Sequence, residues 1–136
     1  MLDELRDWIA AYLLTHRVCI LGTIGTVGAW AMPVWYRSHG LEVECLIPRW
    51  ADVIYHLEQN PQVLLVIQDP EAARLRWLQY RGTAQPIASP DWSRLLPEGI
   101  SNLRPEDRYV AIRAKPERID WIDESRGWGA RETLDL

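Results

Sequence analysis

The chain contains no phenylalanine, only two cysteines, and no apolar run approaching the roughly 18 residues that span a membrane. Each scarcity excludes something. Cys19 and Cys45 both sit inside apolar, strand-like runs and make no disulfide framework; they read as reduced core residues of a cytoplasmic protein. His16, His39 and His56 share no ligand-like spacing with the cysteines, so no metal site is expected. The net charge of −4 supplies no basic face, which excludes a generic nucleic-acid footprint. The opening residues do not read as a signal peptide, and no membrane partner is expected. No Ser or Cys stands in the context of an activated nucleophile, so any catalysis would belong to a bound cofactor that the protein positions. The run Gly22-x-x-Gly25-x-x-Gly28 is not G-x-G-x-x-G, and a strand rather than a helix follows it, which excludes a phosphate loop.

What is present in surplus is tryptophan: eight Trp beside five Tyr. Indole is bulky and carries a donor that wants a partner, so it fills a small barrel poorly. It is favoured at interfaces. The surplus is therefore read as lining the outside of the fold where another surface docks. At 136 residues the chain forms one domain, residues 1–136, able to bury about two-thirds of its unfolded surface.

The organising stretch is Ala29-Trp30-Ala31-Met32-Pro33-Val34-Trp35-Tyr36-Arg37, apolar and aromatic enough for a strand. Alternation puts Trp30, Met32, Val34 and Tyr36 on one face and Ala31, Pro33 and Trp35 on the other. Neither face is polar, so both need covering: one by the core, the other by a partner subunit, a flat ligand, or both. Pro33 has no N–H, which rules out a fully paired central strand at that point.

Around this stretch, residues 2–15 are expected as a helix with Leu2, Leu5, Ile9, Tyr12 and Leu13 on one stripe. Arg17 to Ile24 reads as the first strand and Gly25-Thr26-Val27-Gly28 as a turn. A third strand runs from Leu41 to Ile47, with Glu42 and Glu44 facing outward. A short helix follows, N-capped by Asp52 and ended by Asn60-Pro61. Gln62 to Gln68 reads as a strand covered on both sides, and Leu75 to Ile87 as a long strand with a bulge at Arg81-Gly82. Residues 88–107 read as an excursion holding one short helix. Arg108 to Ala114 and Arg118 to Ile122 read as the last strands, separated by Lys115-Pro116-Glu117. The tail Gly127-Trp128-Gly129-Ala130-Arg131 has no periodicity. The pattern is mainly β (α+β): about six short antiparallel strands in a closed or partly closed barrel with two to three short peripheral helices.

Several stretches together carry a resemblance: Arg17-Val18-Cys19-Ile20-Leu21-Gly22-Thr23, Met32-Pro33-Val34-Trp35-Tyr36, Leu57-Glu58-Gln59-Asn60-Pro61-Gln62-Val63, Tyr80-Arg81-Gly82-Thr83-Ala84 and Pro116-Glu117-Arg118-Ile119. In this order the chain resembles the pyridoxamine 5'-phosphate oxidase-like family of FMN-binding split barrels, outside residues 88–107. The resemblance implies a six-stranded antiparallel Greek-key split barrel, a homodimer, and two FMN molecules at the subunit interface. It places Met32, Pro33, Val34 and Trp35 along the flavin ring. It also nominates Arg49 and Trp50 in the loop before the short helix, and Trp128 and Arg131 in a tail that would cross the partner's flavin. The implied activity is that of an FMN-dependent oxidoreductase acting on a small-molecule substrate.

The phosphate end departs from the family pattern. Where the family places a Thr and then a Ser-Arg-Lys-like triplet, this chain has Ile47 and Ala51-Asp52-Val53. A hydrogen bond to a charged group contributes roughly 1.5–3 kcal/mol, so losing the lysine alone weakens FMN about ten- to a hundredfold. A capping Asp52 would take the same backbone N–H groups and repel the dianion. Arg49, or secondarily Arg37, would have to restore the charge. The rival reading is a flavin-free dimeric split barrel acting as a ligand-binding or structural protein; another flat cofactor, such as heme or a deazaflavin, is a third. Gln79 and Arg81 share a strand face that could meet a ligand, and Tyr36 and His39 are candidate proton donors.

Overall fold

A computed structural model describes residues 2–26, 28–100 and 104–136. Val27 in the first turn and residues 101–103 of the excursion lie outside the described residues.

The N-terminal helix α1 (Leu2–Thr15) buries Ile9, Tyr12 and Leu13 along its apolar stripe, with Asp3 and Glu4 at the positive end of its dipole. Two phenols seat it on the sheet. Tyr12 donates its hydroxyl to the Ile67 carbonyl at 2.8 Å, and Tyr36 donates to the Leu13 carbonyl at 2.7 Å. A third, Tyr80, donates to the Leu41 carbonyl at 2.6 Å. In a chain without phenylalanine, tyrosine fills the core, and each buried hydroxyl finds a backbone acceptor.

The strands are β1 (Val18–Gly25), β2 (Gly28–His39), β3 (Glu42–Pro48), β4 (Gln62–Gln68), β5 (Arg76–Pro86), β6 (Tyr109–Asp123) and β7 (Arg131–Asp135). They run in the order β3-β2-β1-β4-β5-β6-β7, and β3 also pairs with β6, closing the first six into an antiparallel barrel. β1, β2 and β3 form a meander. The helix α2 (Val53–Gln59) then carries the chain back so that β4 lies beside β1, which is the Greek-key return. β7 adds to the C-terminal half of β6.

One irregularity decides where side chains point. Arg81 pairs with Arg118 and Gly82 with Pro116, so Glu117 is an extra residue with no partner in β5. The bulge expected at Arg81-Gly82 is present, and its inserted residue lies on β6. Alternation reverses across it: Ile112 and Ala114 face the core before the bulge, Ile119 and Trp121 after it. The approach is so close that a Cβ on Gly82 would lie 2.1 Å from the Lys115 carbonyl oxygen.

Several expectations need correction. The two last strands are one continuous β6, and Lys115-Pro116-Glu117 is its bulge; Pro116 is tolerated there because the ladder is already interrupted. The tail is not all irregular, since Arg131–Asp135 pairs with β6. The excursion contains two single-turn helices among the described residues, α3 (Trp92–Leu95) and α4 (Pro105–Arg108). Leu95 packs with Leu46 and Ala111 in a second small core on the outer side of the sheet. Glu44 does lie on that side but is only 9% exposed, held by Arg94 and, at 3.1 Å, by the Arg113 guanidinium. Of the eight tryptophans Trp121 is buried, Trp30, Trp77 and Trp92 are half-buried, and Trp8, Trp35, Trp50 and Trp128 are exposed, so the surplus is only partly on the outside.

Candidate functional site

β2 is two-sided, as the alternation required. Val34 and Tyr36 are buried, with Trp30 and Met32 packed half-buried against the same core. On the opposite face Ala31 and Pro33 are exposed and Trp35 is 41% exposed. This outer face continues across neighbouring strands: Trp35 stands beside Val18, Pro33 beside Ile20, and Ile20 beside Val66. Val18, Ile20, Ile24, Trp35 and Leu64 are all large, apolar and open. β4, expected to be covered on both sides, is covered by its own chain only on the inner one. Pro33 fits because β3 pairs only with Trp35–His39, leaving the first half of β2 as an edge. Tyr36 donates its N–H to Arg17 at 2.8 Å, so by alternation the nitrogen of Pro33 faces the unpaired side.

At one end of this face lies a groove of about 880 Å³, within the ordinary size for a small-molecule site. Gly22, Ala31 and Leu64 contribute to its floor, and Arg81, Glu117 and Arg118 to its rim. Gly22 and Ala31 are register partners, so two adjacent strands present almost no side chain and the sheet is hollowed there. Arg81 and Arg118 are also register partners, with like charges directly opposed across β5 and β6. Were Glu117 paired in register with Arg81, Arg118 would lie opposite the buried Tyr80 and point into the core. Sequence reasoning nominated Arg81 but missed Arg118; the signal that could have found it is Pro116 inside a strand opposite a glycine.

The phosphate end, expected beside the start of α2, does not fit a phosphate. Ile47 and Val53 are fully buried and Ala51 is 5% exposed, so these side chains belong to the core. Asp52 stands at the N-cap position as expected, but its backbone is helical (φ −65, ψ −18) and its carboxylate makes no cap hydrogen bond. It remains exposed at the helix start, where it would face a phosphate with like charge. Arg49 is turned elsewhere, its Nε donating to the Glu106 carbonyl at 2.7 Å. Trp50 is 76% exposed. No hydroxyl or cation from residues 47 and 51–53 is available, and an FMN phosphate has no cradle here.

The remaining candidates scatter. Arg37 donates from Nε to the Arg94 carbonyl at 3.1 Å; burial, then the nearby Arg17 and Arg94, lower its pKa. Trp128 is fully exposed between Gly127 and Gly129, both at positive φ. Arg131 opens β7 and is exposed. β7 borders β6, and β3 separates β6 from β2, so within one chain neither tail residue joins Met32–Trp35. Tyr36 is no proton donor: its hydroxyl is committed to Leu13, and burial holds it far above the usual phenol range. His39 is exposed beside the Gly40 turn. Gln79 lies on the outer face with Arg81, half-buried. Among the described residues no three His, Cys, Asp or Glu side chains gather as a metal site, and no helix is long and apolar enough to cross a membrane.

No protein-family model matches the sequence, and no curated protein matches it. Solved structures do match in fold. A Clostridium acetobutylicum protein related to general stress protein 26, of the pyridoxinephosphate oxidase family, superposes with a TM-score of 0.78 at 14% identity, covering 98% of this chain and 96% of that one. General stress protein 26 from Bacillus anthracis gives 0.71 at 20% identity, with 98% and 99% covered. HutZ, a heme storage protein from Vibrio cholerae, gives 0.63 at 19% identity, with 82% and 89% covered. The fold of this chain is the split barrel of these proteins.

Proposed function

We propose that the chain is a homodimeric, flavin-free split barrel that binds a flat small molecule in the groove beside β2. One observation carries this reading: the positions that would hold an FMN phosphate are filled by the buried side chains of Ala51 and Val53, while the opposite end of β2 opens into an apolar groove. The second copy covers Val18, Ile20, Pro33 and Trp35, a contiguous apolar surface of the kind that marks an interface. The groove at Gly22 and Ala31 then remains as a slot beside the two-fold contact. Cavity size and an apolar floor suit a planar ligand.

The rival, an FMN-dependent oxidoreductase, draws on the fold of the general stress protein 26 structures; a heme reading draws on HutZ. Neither has a specific support in these side chains. Among the residues lining the groove there is no His, Cys or Tyr to meet an iron, and His56 lies behind Thr23, 5% exposed.

Sedimentation equilibrium, an absorbance spectrum of the purified protein, and titrations with FMN and with the neutral probe N-phenyl-1-naphthylamine test the proposal together. The expected result is a colourless dimer that leaves FMN fluorescence unquenched and enhances the naphthylamine probe. A monomer, or a yellow protein that retains FMN through dialysis, overturns it.

A further inference from the structure

Resting on the groove reading above, the geometry points to an organic anion as the ligand: a flat apolar body carrying one carboxylate, sulfonate or phosphate-ester group. The apolar body lies on Gly22, Ala31 and Leu64, and the anionic group lies between Arg81 and Arg118.

Three observations lead there. Arg81 and Arg118 are cross-strand partners on the groove side of the sheet, an arrangement that costs stability when nothing lies between the charges. Their own chain neutralises them only in part. Arg81 makes no ion pair among the described residues. Arg118 has its Nε 3.5 Å from Asp120 Oδ1, but that oxygen already accepts the Thr133 hydroxyl at 2.6 Å, and the buried Arg118 Nε has no hydrogen bond. Glu117, a carboxylate on the rim, makes no ion pair with either arginine, so Asp120, shared with Thr133, is the only carboxylate paired with either guanidinium among the described residues. Finally, the bulge decides the face of Arg118: were Glu117 an ordinary paired residue of the ladder, Arg118 would fall one place further along β5, opposite the buried Tyr80, and would point inward. The chain therefore builds a like-charge pair at the rim of this groove. The oxygens of such an anion accept hydrogen bonds from both guanidinium groups and remove the repulsion. Neighbouring apolar floor supplies the rest of the affinity.

The test compares two fluorescent probes of similar size, anionic 8-anilinonaphthalene-1-sulfonate and neutral N-phenyl-1-naphthylamine, on the purified dimer. Wild type should bind the sulfonate at least tenfold more tightly than the neutral probe. Arg81→Gln and Arg118→Gln should each weaken the sulfonate about tenfold and leave the neutral probe within twofold. Raising salt should weaken the sulfonate alone. Ala31→Trp, a change at an exposed position, should fill the groove and abolish both. Circular dichroism melts verify that each variant is folded; Arg81→Gln should melt no lower than wild type because a repulsion has been removed, whereas Arg118→Gln also gives up the Asp120 pairing and should melt slightly lower. If Ala31→Trp abolishes both probes but the double glutamine variant binds the sulfonate as wild type does, the groove binds ligands and the anion assignment is wrong. If neither probe binds, or Ala31→Trp leaves both unchanged, the groove reading itself fails and takes this inference with it.

Discussion

Replacing Gly82 by alanine isolates the bulge that orients the groove. The added methyl would stand 2.1 Å from the Lys115 carbonyl oxygen and 3.2 Å from the Pro116 Cα, both backbone atoms of β6. An ordinary contact is more than 1 Å longer than the first of these. Neither atom can rotate away as a flexible side chain would. Relief requires β5 and β6 to separate at Thr83–Lys115, beside the bulge that sets the direction of Arg118. Overpacking of this kind costs about 1–3 kcal/mol; with backbone on both sides the upper part, about 2–3 kcal/mol, applies. For a chain of this length each kcal/mol lowers the melting temperature by about 4 °C, so Gly82→Ala should melt about 8–12 °C below wild type. Gly22→Ala is the matched control, because its Cβ would meet nothing nearer than the Leu64 carbonyl at 3.5 Å. Thermal unfolding followed by far-ultraviolet circular dichroism reads both. Should Gly82→Ala melt within 2 °C of wild type while Gly22→Ala does no better, the close strand approach, and the bulge geometry derived from it, would be refuted.

Three further outcomes are expected. Val53→Lys places a charge at a fully buried position and should cost about 3–5 kcal/mol; a variant that melts like wild type and gains FMN affinity would show that residue 53 faces a phosphate site instead of the core. Asp123 accepts from the Ser125 hydroxyl at 2.6 Å and N–H at 3.0 Å and pairs with Arg76 at 3.2 Å; led by the Ser125 hydroxyl bond, these hold its carboxyl below the usual range. A depressed folded pKa stabilises above the unfolded value and is lost as pH falls through the folded one, so Asp123→Asn should be less stable than wild type at pH 7, and the gap should close below pH about 4; urea midpoints at the two pH values decide it. Hydrogen bonding to Cys45 and burial push the Cys19 thiol well up, so neither thiol should react with a disulfide reagent until the protein is unfolded in urea; labelling of the native protein within minutes would contradict the packing.

The parts of this fold that could be read in the sequence are those fixed by local periodicity. The α1 stripe gave its span, and the two apolar faces of β2 gave the open sheet surface. Other parts were hidden by residues whose local chemistry says one thing and whose partner says another. Pro116 reads as a strand break, yet Gly82 opposite it lets the strand continue through a bulge. Glu44 reads as solvated, yet Arg94 from the excursion arrives to bury it. Asp52 reads as a side-chain cap, yet its own backbone is already helical and its carboxylate makes no cap bond. β7 is five residues long and owes its existence to the edge of β6, which no pattern within Arg131–Asp135 announces. The candidate site fared likewise: Arg81 was legible as an outward strand residue, whereas Arg118 changes face only because a partnerless residue precedes it.

Where the sheet's arginines spend their hydrogen bonds narrows the location of any polar recognition. On β5 and β6, Arg76 is held by Asp69 and Asp123, and Arg113 by Glu42 and Glu44, so neither is open to a ligand without breaking an ion pair. Arg118 shares Asp120 with Thr133, and Arg81 has no ion pair among the described residues. The two least satisfied guanidinium groups of these strands thus face each other beside the groove at Gly22 and Ala31. The start of α2 offers the reverse: apolar side chains directed inward and a free carboxylate directed outward. A ligand whose negative end lay at α2 would meet repulsion at one end of β2 and leave a repulsion unrelieved at the other. Placing that negative end between Arg81 and Arg118, as proposed above, removes both costs.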